Sequence, residues 1–348
     1  MKTTTVISAA LMLGASLLAH GQAQARDLTV VSWGGTYQDA QREIYFKPFA
    51  ASAAKPLLDE SWDGGIGVLQ AKVKAGNPNW DVVNVESADL AVGCADGVFE
   101  KLDWDKLGGK DKYLPAAVSD CGIGANVWST AIAYDGAKLA DGPKSWADFW
   151  DIKKIPGKRG LRKGAQYNLE FALMADGVKN EEIYDVLSTP EGVDRAFKKL
   201  DELKSSIVWW ESGAQPLQLL ASGEVAMSTA YNGRITGINR TEKRNFKVVW
   251  PGSIYGIDSW AILKGAGNKD AGMDFIAFAS KAENQVKLPQ FVAYGLPNKE
   301  AANMVPADLK SDLPTDAANM KEAMPINTDF WIDNGEALTQ RFNAWLAQ

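Results

Sequence analysis

Residues 27–49, DLTVVSWGGTYQDAQREIYFKPF, set the architecture. Asp27 to Ser32 is a short β-branched run, the glycine pair Gly34-Gly35 interrupts it, and Tyr37 to Phe49 has helical character. The order is strand, loop, helix N-terminus. It returns downstream, where a helix over Gly67–Ala75 precedes WDVVNV, Trp80 to Val85, a second apolar strand ending at Glu86-Ser87. Continuous apolar strands separated by helices indicate an α/β fold with a mostly parallel sheet covered on both faces. Ligands of such sheets bind beyond the carboxyl ends of the strands, where Trp33 and Ser87 fall.

Working outward, Asn126 to Tyr134 (NVWSTAIAY) is extended. Residues 135–159 then turn rich in Gly, Pro, Lys and Trp, a passage into a second lobe. Helical periodicity follows over Tyr167–Ala175, Pro190–Ser205 and Gln215–Ser222, with strands at Val225–Ala230 and Phe246–Trp250. Tyr255 to Leu263 (YGIDSWAIL) is extended again and returns the chain to the first lobe. Two extended segments joining two α/β lobes form a hinge, and the cleft between lobes is the default small-molecule site. The expected division is 26–132 with 258–305 as lobe 1 and 133–257 as lobe 2. Residues 306–348 are expected to form a helical segment packed across both.

Composition removes other functions. The chain has 37 basic and 43 acidic residues and no basic block, which disfavours nucleic acid and anionic membranes as partners. Met1-Lys2, the mostly apolar Val6–Leu18 and the small-x-small triplet Ala23-Gln24-Ala25 read as a secretory signal peptide over 1–25, cleaved after Ala25. The apolar run falls short of the roughly 20 residues needed to span a bilayer. The one histidine, His20, lies inside that segment, so the exported chain lacks imidazole. That excludes Ser-His-Asp and Cys-His catalysis and histidine metal sites. Cys94 and Cys121 lie in the exported part, where a structural disulfide ranks above a redox or metal role. Phosphate-loop, dinucleotide, nucleophile-elbow and zinc motifs are missing, so no cofactor or metal is expected. Glu181-Glu182 and Asp201-Glu202 read as solvated helix faces. A carboxylate-dependent secreted hydrolase is the alternative of a different class.

Several residues are candidates for a site. In Trp33-Gly34-Gly35-Thr36-Tyr37 the glycines let backbone N–H groups approach a ligand between two aromatics. The same pattern also describes an ordinary strand-to-helix turn. Asp258 in GIDSWAI sits among apolar residues, where a lone charge costs several kcal/mol. Its partner is a ligand ammonium with Tyr255, Trp260 or Tyr294 nearby, or else an internal Arg or Lys or a helix N-terminus. Arg234, in the turn Tyr231-Asn232-Gly233-Arg234, suits bidentate capture of a carboxylate, or a salt bridge between lobes. Gln166, Tyr167 and Gln215 read as cleft walls or as helix decoration. Trp62, Trp80, Trp104, Trp146, Trp150, Trp209 and Trp210 are assigned to packing. Trp33, and Trp260 or Trp331, remain as ligand walls.

The ordered motifs VSWGGTYQDAQREIYFKPF, WDVVNVESADL, SGEVAMSTAYNGR, GIDSWAILKGAGNKDAGMDFIAFAS and AYGLPNKEA resemble the periplasmic solute-binding proteins of ABC importers, in the spermidine/putrescine-binding family. The resemblance covers essentially the whole exported chain. It implies a two-lobed type II periplasmic binding fold, a monomer that closes over one ligand and docks on an inner-membrane permease. On that likeness Trp33 matches an aromatic lid, Ser87 a polar contact, Tyr231 an aromatic stacked on the ligand chain, and Asp258 the carboxylate that anchors an amine. Two departures stand out. Polyamine binders carry further acids just before the helix expected at Tyr167–Ala175; this chain has Arg162-Lys163-Gly164-Ala165-Gln166-Tyr167 and no acid until Glu170 on the helix itself. Arg234 stands where the family commonly has a small residue. A dication would lose an anchor and meet a positive charge, an encounter costing about 1 kcal/mol at ~4 Å in water and more when desolvated. The expected ligand is therefore a linear ω-amino acid of the 4-aminobutyrate type, with its ammonium on Asp258, its chain between Trp33 and Tyr231 and its carboxylate on Arg234. Putrescine or spermidine is the runner-up.

Overall fold

The computed structural model describes residues 26–348; residues 1–25, expected from the sequence to be a signal peptide, lie outside the described residues. Strands β1 (Leu28–Ser32), β2 (Leu57–Ser61), β3 (Val82–Glu86), β4 (Gly122–Asp135), β5 (Arg159–Arg162), β6 (Ile207–Trp210), β7 (Met227–Tyr231), β8 (Phe246–Ile262) and β9 (Met324–Pro325) share one sheet. Its order is β2-β1-β3-β8-β4-β7-β5-β6, with β9 added to β8. Both ends are parallel: β1 pairs with β2 and β3, and β5 pairs with β6 and β7. The middle is an antiparallel ladder in which β8 joins β3 to β4, and β4 joins β7. Helices cover the sheet, as the alternation of apolar strands and helices requires.

The segments expected at 246–250 and 255–263 are one strand, and the segment expected at 126–134 begins four residues earlier. The β4–β8 register shifts between Thr130 and Ile132, opposite Trp250–Ser253. Such a bulge kinks a long strand without ending it. The ladder therefore serves β3 through Asp258–Ile262 on one side of the bulge and β7 through Thr130–Tyr134 on the other.

Strands β2, β5 and β6 were not expected. LLDES has an exposed edge pattern with no apolar run, and RGLR and IVWW are four residues each. The helix expected over 37–49 is Gly35–Gln41, then a π turn at Arg42–Phe46, then Lys47–Ala53. Pro48 accounts for the widened turn, because its missing N–H cannot close a regular helical bond. Phe46 and Phe49 from this stretch pack on Phe275 of the helix Lys269–Ala279.

The helix Thr328–Leu346 lies on the helix Ser87–Ala95 and sets Trp345 against Phe197 and Trp209. Among the described residues no helix is long and apolar enough to cross a membrane. Cys94, at the end of Ser87–Ala95, is disulfide-bonded to Cys121, the residue before β4, with their Cα atoms 5.7 Å apart. Closing a loop of this size restricts the unfolded chain. Replacing both cysteines by serine is expected to lower stability by roughly 3–4 kcal/mol, read as a fall in the urea midpoint, with a somewhat steeper slope because the unfolded chain becomes less compact.

Candidate functional site

The ends of β1 and β3, the helix after β7 and the middle of the β4–β8 ladder converge on a cavity that, counted together with its opening to solvent, encloses about 450 Å³. Asp258 is buried at its wall, only 4 % exposed. On β8 this residue lies opposite Glu86 of β3 on one side and Asn126 of β4 on the other. Cross-strand partners share a face, so Glu86, Asp258 and Asn126 form one row. Asp258 accepts hydrogen bonds from Trp128 Nε1 at 2.8 Å and from Asn126 Nδ2 at 3.2 Å. Both donors are neutral. Burial, reinforced by the Glu86 charge, pushes the Asp258 carboxyl up to about 8 against the pull of those bonds and of Arg234.

Aromatic rings form the walls. Trp33 stacks on Trp62 at 5.2 Å, and the Trp62 indole donates to the Asn84 carbonyl at 3.1 Å, which fixes the pair. Trp128 stands edge-on to Tyr231 at 5.5 Å, and Tyr37 edge-on to Tyr294 at 5.2 Å. Asp63 and Glu211 are exposed at the rim.

Two arginines face the cavity. Arg234, in the first turn of the helix Asn232–Glu242, donates from NH1 to the Gly34 carbonyl at 3.1 Å and from NH2 to the Trp33 carbonyl at 2.8 Å. Its Nε is buried without a partner. A Cβ at Gly35 would come within 2.6 Å of NH1 and one at Gly213 within 2.7 Å of Nε, so both glycines are needed to seat the guanidinium. Arg162, at the end of β5, places NH1 3.4 Å from Glu86 Oε1, while the Tyr167 hydroxyl donates to Glu86 Oε2 at 3.0 Å. Burial alone would weaken the Arg162 charge, but Tyr231, Glu86 and Tyr167 around it more than restore it.

Of the residues picked from sequence, Trp33, Tyr37, Tyr231, Arg234, Asp258 and Tyr294 line this cavity. Ser87, Gln166 and Tyr167 line a smaller neighbouring one, of about 240 Å³, that shares Glu86 and Trp128 as its wall. The Ser87 hydroxyl is turned to the Ile257 carbonyl at 3.0 Å. Four others lie off both linings. Gly34 contributes its carbonyl to Arg234, and Thr36 faces Gly237 on the helix Asn232–Glu242. Gln215 caps its own turn by accepting from the Glu211 and Ser212 amides. Tyr255, three residues from Asp258 along a strand, points to the opposite face and packs with Val127 and Ile257. The tryptophans also move. Trp260 packs on Phe275, and Trp331 donates to the buried Glu170 at 2.7 Å, whereas Trp62, assigned to packing, is a cavity wall.

Sequence reasoning passed over Trp62, Trp128, Glu86 and Arg162 as cavity residues. Trp128 was within reach, since the period-two pattern of NVW puts Asn126 and Trp128 on one face. Glu86 and Arg162 were not, because their meeting depends on the pairing of distant strands. Among the described residues no group of three His, Cys, Asp or Glu side chains is disposed to hold a metal.

With this geometry in hand, the relatives are informative. The sequence pattern of the family of bacterial extracellular solute-binding proteins matches residues 57–321. The gamma-aminobutyric acid-binding protein of Pseudomonas aeruginosa is 47% identical over 99% of this chain and 97% of its own. The putrescine-binding periplasmic protein SpuD of Pseudomonas aeruginosa is 26% identical over 84% of each chain. Among solved structures, the Atu4243 GABA receptor superposes with a TM-score of 0.80 at 35% identity, covering 93% of this chain and 98% of that one. These homologues are binding proteins.

Two buried acids and one half-buried one set the pH response of the protein. Burial pushes Asp258 up to about 8, Glu170 to about 7 and Asp89 to about 6. The folded chain therefore holds more protons than the unfolded chain between roughly pH 5 and 8, and stability falls as pH rises through that window. Thermal unfolding of the unliganded protein is expected to show Tm decreasing from pH 5 to 8.5, with a flatter slope for Asp258→Asn.

Proposed function

The chain belongs to the bacterial extracellular solute-binding proteins, and from that premise we propose that it is the exported, non-enzymatic substrate-binding component of an ABC importer that captures a linear ω-amino acid of the 4-aminobutyrate type. One observation carries this reading. A buried carboxylate held only by neutral donors, Asp258, shares a cavity with a buried guanidinium, Arg234, whose Nε has no partner. A carboxyl that can ionise against an arriving ammonium and a guanidinium with a spare donor, in one aromatic-walled cavity, match a ligand carrying an ammonium at one end and a carboxylate at the other.

The ammonium pairs with Asp258, the methylene chain lies among Trp33, Trp62 and Tyr231, and the carboxylate takes Arg234. Methylenes against aromatic faces gain from burial. The ammonium additionally meets the negative faces of the rings. Arg234 also bonds the carbonyls of Trp33 and Gly34, so ligand and loop are held by one side chain. The names of the Pseudomonas aeruginosa relative and of the Atu4243 receptor, both referring to gamma-aminobutyric acid, support the ligand class. Lobe 1 (26–132 with 258–305) and lobe 2 (133–257) close on the solute about the bulged β4–β8 ladder. The closed receptor then delivers its cargo to a membrane permease.

Titration calorimetry with 4-aminobutyrate, putrescine and spermidine tests the assignment. One-to-one binding of 4-aminobutyrate in preference to both amines is expected, and tight putrescine binding with no heat from 4-aminobutyrate overturns it. Asp258→Asn leaves a buried ammonium without its counter-charge and is expected to weaken 4-aminobutyrate binding by roughly 3–5 kcal/mol, about a hundredfold or more in Kd.

A further inference from the structure

Glu86 is the second carboxylate of the cavity and lies directly across from Asp258 in the β3–β8 ladder. Two carboxylates side by side at one end of a cavity are what a doubly charged amine would seek. In this protein one of them is already taken. Arg162 reaches Glu86 from β5, which is separated from β3 in the sheet by three strands, β8, β4 and β7. The pair therefore bridges the cavity and is not a contact between neighbouring strands.

The pair is held in place on both sides. Glu86 receives the Tyr167 hydroxyl at 3.0 Å, and the Arg162 guanidinium lies 5.8 Å from the Tyr167 ring. Asn168 Nδ2 donates to the carbonyls of Arg162 at 2.6 Å and Gly164 at 2.7 Å, which fixes the turn between β5 and the helix Asn168–Ala175. Tyr167 itself has φ of +72°, a left-handed backbone that a tyrosine adopts only when its surroundings hold it there. The side chains of Arg162 and Glu86 remain 24% and 19% exposed, so the pair faces the cavity.

We propose that Arg162 is the specificity-determining residue of this cavity: as a built-in counter-cation on Glu86 it occupies the place of a second ligand ammonium, so that an ω-amino acid is accepted and a diamine is refused. This rests on the amino-acid reading above and extends it to how the cavity excludes close analogues. The ammonium of an amino acid needs only Asp258. The second ammonium of a diamine would have to displace a tethered guanidinium from Glu86 or remain unpaired beside it, and discrimination of this kind works by penalising the wrong ligand. The reciprocal holds for Glu86, whose charge keeps Arg162 from capturing a second ligand carboxylate.

Calorimetry on two variants with three probes, 4-aminobutyrate, putrescine and glutamate, tests the proposal. Arg162→Gln frees Glu86, and the ratio of putrescine to 4-aminobutyrate affinity is expected to rise about tenfold or more over the native protein. The double variant Arg162→Gln/Glu86→Gln should lose that gain. Glu86→Gln frees Arg162 and should shift preference toward glutamate by a similar factor, which gives a reading that does not depend on the folding of the first variant. Unchanged ligand ratios in the folded variants overturn the role of Arg162. Failure of the native protein to bind 4-aminobutyrate would instead strike at the ligand assignment, a separate outcome read from the unmodified chain.

Discussion

The antiparallel pairing of β4 with β8 is the constraint on which the rest of the molecule depends. Every other strand reaches the centre of the sheet through one of these two, β8 taking up the β3 end and β4 the β7 end. A parallel α/β unit stands at either end, and the largest apolar core runs from one to the other. The ladder fixes how the two units stand to each other, and its register fixes which residues meet above it. Asp258 lies opposite Glu86 and Asn126 only because β8 is inserted between β3 and β4. The bulge at Thr130–Ile132 lets a 17-residue strand bend, so one pair of strands acts both as backbone and as joint.

On this frame the cavity combines groups of different energetic kinds. The aromatic walls contribute apolar area and are immobilised by stacking and by an indole bond to the main chain. The donors to Asp258 are an amide and an indole, which orient the carboxylate without neutralising it. Arg234 bonds main-chain carbonyls and is packed against two glycines, so it is anchored with its charge uncompensated. Glu86 and Arg162, in contrast, neutralise one another. An internally paired couple beside an unpaired couple gives the cavity polarity without a large excess of either sign.

The sequence was most legible where local chemistry is unusual. A carboxylate among apolar strand residues singles out Asp258, glycines beside aromatics single out Trp33 and Tyr37, and an arginine just after a strand singles out Arg234. The strand–glycine–helix order of residues 27–49 carries the fold class for the same reason. What was illegible depends on distance in sequence. Nothing in LLDES announces a strand leading to a cavity tryptophan, because an exposed edge strand needs no apolar pattern. Nothing near Glu86 announces Arg162, because their contact is made across the whole middle of the sheet. Tyr255 shows the opposite error, since nearness along the chain suggested a shared site where the alternation of a strand forbids it. Trp260 and Trp331 show that a tryptophan's type does not give its direction.

The raised pKa of Asp258 has a consequence for charge traffic. With neutral donors on both oxygens and the Glu86 charge beside it, the empty carboxyl carries a hydrogen ion at pH values below about 8. For the ω-amino acid proposed above, the arriving ammonium takes the place of that hydrogen ion while the ligand's carboxylate joins Arg234, so the pocket gives up one proton and its total charge falls by one. On that proposal, loading the zwitterion releases a proton to the surrounding solvent and unloading takes one up.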